Sequence, residues 1–322
     1  MPKRNDNTIN GNFKGRNILS LDQFDLPSLD LLFKTADNLK AIAIDAKPSD
    51  ILKGTITTLL FFEPSSRTFG SFSTAIKQLG GQTLEIQDPQ TVSSVAKGET
   101  LEDTIRTFQS YTHAIVMRHP EKGAVQIAAS VADIPVINAG DGTGEHPTQA
   151  LLDMYTIYET CGRLDNLTIL CAGDMLNGRT VHSLIRGLSL YKNNTIYLLS
   201  PKSLKLTRDD FKNFSQRGII LVEIESEKDI PKYADVWYWT RVQKERFKDL
   251  SEYEKVKTRF TVTKELMNTY AKKDMILMHP LPRVGEIHEE IDSDPRSVYL
   301  SKEMRNGKYI RMALMALTLG RI

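Results

Sequence analysis

The sequence predicts an α/β protein with two domains, each a parallel sheet flanked by helices. Short, unbroken apolar runs, typical of strands buried on both faces, alternate with amphipathic stretches of helical period. The 322 residues are enough for two cores, and the alternation restarts around residues 160–166, where we place the boundary. We therefore expect a flexible tail over 1–12, a first domain over 13–160, a second over 161–299, and a last helix over about 300–322 that packs back on the first domain.

The first domain begins with a helix from Leu26 that ends before Pro48. A strand over 56–62 follows and leads through the residues Glu63-Pro64-Ser65-Ser66-Arg67-Thr68 into a helix that stops at two glycines. The later elements are a strand over 83–86, a polar loop over 88–98, a helix from Thr100, a strand over 114–117, a helix over 122–132, a strand over 136–138, and a helix that starts at Pro147.

The second domain repeats this alternation. Its first strand is followed by a glycine-rich turn, residues 173–180, which opens a helix with apolar residues on one face. The last helix aligns Ile310, Ala313, Leu314 and Leu317. The five predicted strands cover residues 167–171, 195–199, 219–224, 236–238 and 275–278.

Composition excludes several classes of protein. A net charge of +2 argues against a broad nucleic-acid surface. The sequence contains no run of 18 apolar residues that could span a membrane. Cys161 and Cys171 lack the spacing of a metal site and are expected to be buried free thiols in a reducing compartment. Residues 1–12 are polar and lack the apolar segment of a signal peptide, so we expect a cytoplasmic protein.

The junction between the first strand and its helix is a candidate anion site. Ser65, Ser66, Arg67 and Thr68 fall where the first turn of a helix leaves backbone N–H groups without intrahelical partners. Hydroxyls add donors, and the guanidinium is a planar fork suited to phosphate oxygens. The structural alternative is an ordinary helix cap followed by a solvated arginine.

Further polar clusters follow other strands. In open α/β sheets, ligands bind beyond the carboxyl ends of the strands, where all of these clusters are expected to lie. Such an arrangement suggests a cleft between the domains that holds two anionic ligands, such as a phosphate and a dicarboxylate. The clusters are Ser65 to Thr68, Arg118, His146 with Gln149, Arg179, Arg241 with Gln243, and Pro280 to Arg283.

Each residue also has a structural interpretation. Arg118 could be a surface residue, Arg179 an ordinary residue of a first helical turn, His146 a helix cap, and Lys97 a solvated loop charge. The glycine-rich turn over 173–180 is similar to a phosphate-binding P-loop but has Arg where that motif needs Lys. The glycines at 140, 142 and 144 do not reproduce the spacing of a dinucleotide fingerprint.

Seven ordered blocks of sequence resemble the catalytic chains of the aspartate carbamoyltransferases, and they extend over nearly the whole chain. The related ornithine enzymes are expected to carry Cys in place of Pro280 and a different loop in the second domain, so the blocks favour aspartate. They are SSRT at 65–68, KGE at 97–99, VMRHP at 116–120, AGDG with HPTQ at 139–149, GRTVHSL at 178–184, TRVQKERF at 240–247 and HPLPRV at 279–284.

The resemblance implies a carbamoyl phosphate-binding first domain and an aspartate-binding second domain. Catalysis is assigned to Arg67, Thr68, Arg118 and His146. Carbamoyl phosphate would be bound by these four residues together with Ser65, Ser66, Gln149, Pro280 and Leu281. Aspartate would be bound by Lys97, Arg179, Arg241 and Gln243.

The resemblance also implies direct attack of the aspartate amino group on the carbamoyl carbon, without a covalent enzyme intermediate, a cofactor or a metal. Ser93 and Lys97 would reach the active site of a neighbouring subunit, which makes the expected assembly a homotrimer with shared sites. Regulatory chains cannot be inferred from the sequence. Two alternatives stay open: transfer to another amino acid, and a paralogue that has lost catalysis.

Three departures from the family pattern stand out. Ser66 stands where the family usually has Gly or Thr, so this chain has a hydroxyl at that position. Phe69 and Ser73 stand where the family commonly has Arg and Glu, which form an ion pair near the helix start. Because both partners are absent together, the replacement puts only local stability or subunit contacts in doubt. Leu176 and Asn177 replace residues common in bacterial enzymes with regulatory chains, which weakens the case for that kind of allosteric control.

Overall fold

The computed structural model describes residues 8–244, 247, 249–257 and 259–322. Two compact units are present, one formed by Met1–Leu151 with Asn306–Ile322 and the other by Leu152–Arg305. Each unit contains one sheet, and every strand pairing in both sheets is parallel. The predicted α/β class with two helix-flanked parallel sheets is therefore confirmed.

The sheet of the first unit has four strands in the order β2-β1-β3-β4. The strands are β1 (Ile56–Phe61), β2 (Gln82–Gln87), β3 (Ala114–His119) and β4 (Val136–Asp141). Every residue of the central strand β3 and of the edge strand β4 is buried, as expected for strands of a parallel sheet covered on both faces. Both strands run beyond their predicted ends, so Arg118 and Asp141 are strand residues.

The helices of the first unit are α1 (Leu26–Ile44), α2 (Ser66–Gln78), α3 (Pro89–Val92), α4 (Leu101–Gln109) and α5 (Ala124–Val131), and α6 (Pro147–Cys161) starts in this unit. The segment predicted as a loop over 88–98 contains α3 and a 3-10 turn, Ser94–Lys97. Ser93 joins the two turns, because its hydroxyl donates to the Pro89 carbonyl (2.7 Å) and accepts from the Val95 N–H (3.2 Å).

The second unit has a five-stranded sheet in the order β7-β6-β5-β8-β9. Its strands are β5 (Thr168–Ala172), β6 (Thr195–Leu199), β7 (Ile220–Ile224), β8 (Val236–Trp239) and β9 (Ile276–Met278). Its core is built around the fully buried Trp237 and Trp239. The helices are α7 (Arg179–Leu188), α8 (Arg208–Gln216), α9 (Leu250–Val256) and α10 (Lys264–Tyr270).

The C-terminal helix α11 (Lys302–Thr318) returns to the first unit, as the sequence predicts. Lys308 Nζ donates to Oε1 of Gln78 (3.1 Å) and Arg311 Nη1 donates to Oγ of Ser71 (2.9 Å), both on α2. The Arg311 guanidinium also lies 5.0 Å from the ring centre of Phe72. These contacts tie α11 to the helix that follows the candidate anion site.

The N-terminal segment differs from the predicted tail. Ile9 is buried, and its N–H donates to the Gln23 carbonyl at 2.8 Å. The N–H of Gly11 donates to Oγ of Ser28 at 2.9 Å. Ile9 is therefore anchored in the first unit, whereas residues 8, 10 and 12 are exposed. Residues 1–7 of the predicted tail lie outside the described residues.

Across the part of the chain that the structure describes, no helix is long and apolar enough to cross a membrane. Within the same residues, no group of three or more His, Cys, Asp or Glu side chains is placed to hold a metal ion. Cys171 is a buried free thiol, and burial raises its pKa to about 12. Cys161 is a free thiol that is only half-buried, so the expectation of burial is confirmed for Cys171 and wrong for Cys161.

Candidate active site

The strand orders create one topological switch point in each sheet. In the first unit, β2 lies on one side of β1 and β3 on the other. In the second unit, β6 and β8 lie on opposite sides of β5. Crevices that bind ligands open beyond the carboxyl ends of strands at such points. The residues predicted from sequence follow these strands: Ser65 to Thr68 follow β1, Arg118 ends β3, Arg179 follows β5, and Arg241 with Gln243 follows β8.

The start of α2 matches the anion site predicted from sequence. Ser65 occupies the N-cap position, yet its side chain makes no capping hydrogen bond. Thr68 is buried, whereas Ser66 and Arg67 are exposed. The alternative of a helix cap followed by a solvated arginine therefore holds in the position of Ser65 and the exposure of Arg67, but the side-chain capping bond is missing. The first turn presents hydroxyls and backbone donors at the positive end of the helix.

Arg118 is held inside the first unit, so its interpretation as a surface residue is wrong. It is 8% exposed, and its guanidinium forms an ion pair with Glu63 at 2.6 Å (Nη2 to Oε2). Nη1 donates to the Ala139 carbonyl at 3.3 Å. Burial lowers the pKa of Arg118, Glu63 opposes that shift, and the nearby charge of Arg67 adds to it. The two arginines thus share one electrostatic site.

Gly140 makes room for this guanidinium. Its φ of +124° lies in the region that favours glycine, and a Cβ there would be 2.7 Å from Nη1 of Arg118 and 3.5 Å from Cδ2 of His146. His146 is itself buried, and its carbonyl accepts the N–H groups of Gln149 (3.0 Å) and Ala150 (3.2 Å). The structure therefore brings Arg118 and His146 together around a glycine that the sequence analysis considered only as part of a dinucleotide fingerprint and of a family block.

The loop between β4 and α6 is fixed at both ends. Oδ1 of Asp141 accepts from the Gly123 N–H at 2.9 Å. Glu145 accepts from the Ser20 hydroxyl at 2.7 Å and from the Leu21 N–H at 3.1 Å. The backbone that carries His146 is thus tied to two other segments of the unit.

Ser93 and Lys97 lie at the surface of the first unit, on the segment over 88–98. Lys97 is exposed and Ser93 is half-buried. Since the Ser93 hydroxyl already bonds within its own turn, the exposed charge of Lys97 is the more available group of the two. Their assignment to a neighbouring subunit's site stays a prediction.

In the second unit, the loops after β5 and β8 are brought together. A Cβ on Gly173, whose φ is +116°, would lie 2.1 Å from the Thr240 carbonyl oxygen, so only glycine allows this approach. Nε2 of Gln243 donates to the Asn177 carbonyl at 2.9 Å. Arg179 and Arg241 stand next to these contacts in sequence. Glu245 and Arg246, in the same sequence block, lie outside the described residues.

Asp174 supports this pair of loops and was missed by sequence reasoning. Its carboxylate accepts from the backbone N–H (2.8 Å) and the side-chain amide of Asn177. Burial raises the pKa of Asp174, and the hydrogen bonds from Asn177 act against that shift. The Gly-Asp pair at a strand end, with Asn three residues on, was the available signal.

The turn after β9 carries Pro280 and Leu281. The Leu281 N–H donates to Nδ1 of His279 at 2.8 Å, and Nε2 of His279 lies 2.7 Å from Oε1 of Glu286. Arg283, which ends the predicted cluster, bonds to Asp292 and donates to the Tyr299 hydroxyl at 2.8 Å. Arg283 is therefore engaged in structural contacts, whereas the assignment of Pro280 and Leu281 to carbamoyl phosphate stays a prediction.

The departures at Phe69 and Ser73 have a structural explanation. The ring of Phe69 packs edge-on against Phe61 of β1, with centroids 5.2 Å apart. Ser73 donates to Oε1 of Glu85 at 2.6 Å, as do Lys77 (2.8 Å) and Thr83 (2.7 Å). Partial burial favours the neutral form of Glu85, but these three donors outweigh it and lower its pKa to about 2. A phenylalanine contact and a shared carboxylate thus hold α2 on the sheet.

The fold and the site together define the class of protein as an α/β enzyme of two units. Each unit has arginine-bearing loops at a topological switch point, and such loops are suited to small anionic substrates. Two family models match the chain, the carbamoyl phosphate-binding domain of aspartate/ornithine carbamoyltransferases over residues 16–159 and their Asp/Orn binding domain over residues 165–318. The chain belongs to the aspartate/ornithine carbamoyltransferase family.

Individual relatives agree with this family. The aspartate carbamoyltransferase catalytic subunit of Clostridium botulinum is 47% identical over 308 residues, which cover 95% of this chain and 99% of the relative. That of Hyperthermus butylicus is 44% identical, with 96% and 98% covered. The chain also matches multifunctional protein pyr1-3 of Dictyostelium discoideum at 46% identity, but spans only 14% of that protein.

The fold has solved counterparts in the same family. Aspartate transcarbamoylase from Trypanosoma cruzi in complex with carbamoyl phosphate and aspartate superimposes with a TM-score of 0.89 at 38% identity, covering 97% of this chain and 99% of that one. The resemblance inferred from seven sequence blocks is thereby confirmed.

Proposed function

We propose that the chain transfers the carbamoyl group of carbamoyl phosphate to the α-amino group of L-aspartate, which gives N-carbamoyl-L-aspartate and phosphate for pyrimidine synthesis. One observation carries most weight. Nε of Arg118 is a buried donor with no hydrogen-bond partner among the described residues, beside the equally buried His146. Buried donors are almost always paired, so this nitrogen is available to an acceptor on the substrate.

Carbamoyl phosphate would bind mainly at the start of α2. The hydroxyls of Ser65, Ser66 and Thr68, the N–H groups of the first turn, and the Arg67 guanidinium suit its phosphate. Arg118, His146 and Thr68 would donate to the carbonyl oxygen. The amide of Gln149 and the carbonyls of Pro280 and Leu281 would accept from the NH2 group.

L-Aspartate would bind through its two carboxylates. Arg179 and Arg241 supply forked donors, and Gln243 is already oriented by its bond to the Asn177 carbonyl. Lys97 of a neighbouring subunit would add a cation. The site would then select a dicarboxylic amino acid. Ornithine has a positively charged amino group in place of the second carboxylate, and the arginines and the lysine would repel it.

The reaction needs no covalent intermediate on the protein. The neutral amino group forms the new C–N bond at the carbamoyl carbon, and the bond from that carbon to the phosphate oxygen breaks. The amine gives its proton to the departing phosphate, which leaves as hydrogen phosphate. Negative charge develops on the carbonyl oxygen, toward Thr68, Arg118 and His146, and then on the departing phosphate, toward Arg67. Orientation and electrostatic stabilisation by fixed donors supply the catalysis.

The assembly is proposed to be a homotrimer that shares active sites through Ser93 and Lys97, in the cytoplasm. Mixing Lys97→Ala with Arg67→Ala chains tests this, because a mixed trimer would contain some sites with both native residues. Activity in reassembled mixtures, with none in either variant alone, is expected. Mixtures without any recovered activity would contradict shared sites.

The function itself is tested by following phosphate release and product formation from carbamoyl phosphate with L-aspartate. Parallel reactions with L-ornithine and other amino acids address the remaining candidate function, transfer to another acceptor. We expect release that depends on aspartate, with N-carbamoyl-L-aspartate as product. No release with any acceptor would instead indicate a paralogue without catalysis.

A further inference from the structure

A chain of hydrogen bonds crosses the interior of the second unit. The Tyr238 hydroxyl on β8 accepts from Thr180 at the start of α7 and donates to Oδ2 of Asp153 at 2.8 Å. On the far side, Oε2 of Glu303 accepts the backbone N–H of His279 at 3.0 Å. Asp153 is 0% exposed and Glu303 is 3% exposed, so water has little access to either carboxyl.

The two carboxyl groups lie against each other. Asp153 and Glu303 are within side-chain hydrogen-bonding distance. Ionised carboxylates only accept hydrogen bonds, so a bond between the two requires one proton. Burial, followed by the charge of Asp153, raises the pKa of Glu303 well above its usual range. Oε1 of Glu303 is buried and has no hydrogen-bond donor among the described residues, so only a proton on one of the two carboxyls can satisfy it.

Both ends of this chain of hydrogen bonds lie next to residues that the proposed function uses. Thr180 directly follows Arg179, which is assigned to aspartate. His279 directly precedes Pro280, and its Nδ1 accepts the Leu281 N–H at 2.8 Å. Because Nδ1 accepts, the ring proton is on Nε2, which lies 2.7 Å from Glu286. The turn is thus held through both backbone and ring of His279.

We propose that Asp153 and Glu303 share a single proton and act as positioning residues, which fix the Pro280–Leu281 turn and the start of α7 in one geometry. This inference rests on the proposed function, since the two ends matter for catalysis only if they contact the substrates. Neither carboxyl touches a reacting atom.

Loss of the shared proton has a defined consequence. Two facing carboxylates would repel each other, and the turn that carries Pro280 and Leu281 would lose its anchor on Glu303. The titratable groups that face the pair come from each packed element: Tyr238 on β8, and His279 with Glu286 after β9. The KM values should therefore rise on the alkaline side, with a smaller change in kcat.

Amide substitutions test the proton without changing shape. In Glu303→Gln, the amide NH2 donates to Asp153 while its oxygen still accepts from His279. In Asp153→Asn, the amide oxygen still accepts from Tyr238 while NH2 donates to Glu303. Each single variant keeps a matched donor and acceptor, so kcat/KM should stay within about threefold of wild type and the alkaline rise in KM should be weaker.

The double variant brings two NH2 groups face to face. A buried donor without an acceptor is costly, so kcat/KM should fall about tenfold or more below either single variant. Glu289→Gln, at an exposed carboxyl of the same unit, serves as the control and should match wild type in every measurement. A double variant no worse than the single ones would overturn the proposal.

Infrared spectroscopy tests the proton without relying on activity. Wild type should show the C=O stretch of a buried protonated carboxyl, and Glu303→Gln should lose it. A spectrum unchanged by Glu303→Gln would overturn the shared proton, even if the double variant does not fold. If wild type lacks aspartate-dependent phosphate release, the proposed function fails, whereas the infrared result still decides the protonation.

Discussion

Replacement of Gly140 by alanine tests the geometry around Arg118. The added Cβ would lie 2.7 Å from Nη1 and 3.3 Å from Cζ of that guanidinium. Ordinary contacts between such atoms are about 3.5 Å, so the guanidinium must move by about 1 Å. The residue would also have to keep a φ of +124°, which costs a residue with a side chain about 1–3 kcal/mol.

The displacement should affect catalysis more than folding. A 1 Å misplacement of a catalytic group can cost about 100-fold in rate, equivalent to about 2.7 kcal/mol of barrier. We therefore expect Gly140→Ala to lower kcat about 100-fold and to lower the free energy of unfolding by about 1–3 kcal/mol.

The assay is steady-state phosphate release at varied carbamoyl phosphate, with thermal unfolding measured on the same samples. Gly218→Ala is a matched control, because Gly218 has a φ of +90° but no atom within 4 Å of the added Cβ. The control should share the loss of stability and keep near-normal kcat. Similar kcat values for both variants would refute the role of Gly140.

Three further predictions concern other charged groups. Because its pKa is lowered in the folded state, Glu85 stabilises the fold above pH 4.5 and loses that contribution as pH falls toward about 2. Glu85→Gln should lower the free energy of unfolding by about 1 kcal/mol at pH 7, and this difference from wild type should disappear in acid. Exposed Asp30→Asn should not lower the free energy of unfolding. A difference between Glu85→Gln and wild type that does not change with pH in denaturant titrations would contradict the role of Glu85. Arg241→Ala should raise the KM for aspartate about 100-fold with little change for carbamoyl phosphate, and exposed Arg208→Ala should change neither; an unchanged aspartate KM would exclude its role. Arg67→Ala should lower kcat about 1,000-fold or more with an unchanged melting temperature, and near-normal turnover would refute its contact with the phosphate.

Sequence periodicity predicted the two parallel sheets but not the order of their strands. Buried apolar runs identify strands such as β3, because both faces of a central strand are covered. Which strands become neighbours depends on tertiary packing, so the two switch points were visible only in the structure. Helix α8 was missed because Phe214 is its one buried residue, which leaves no apolar stripe to detect.

The candidate site also has a part that could be predicted from the sequence and a part that could not. Arginines and hydroxyls after strand ends could be selected from the sequence, because the carboxyl edge of a parallel sheet is where ligands bind. The partners of those residues could not. Glu63 meets Arg118, and Asp153 meets Glu303, only after distant segments fold together. Gly140 belongs to a glycine cluster visible in the sequence, but its role could not be predicted, since it depends on a guanidinium that approaches from another strand.

The most direct test of the account is the fate of carbamoyl carbon in a reaction with 13C-labelled carbamoyl phosphate and L-aspartate. Direct transfer predicts that all of the label lost from the substrate appears in N-carbamoyl-L-aspartate, with one phosphate released per product and no change in protein mass. Labelled protein, or phosphate released without carbamoyl aspartate, would contradict it.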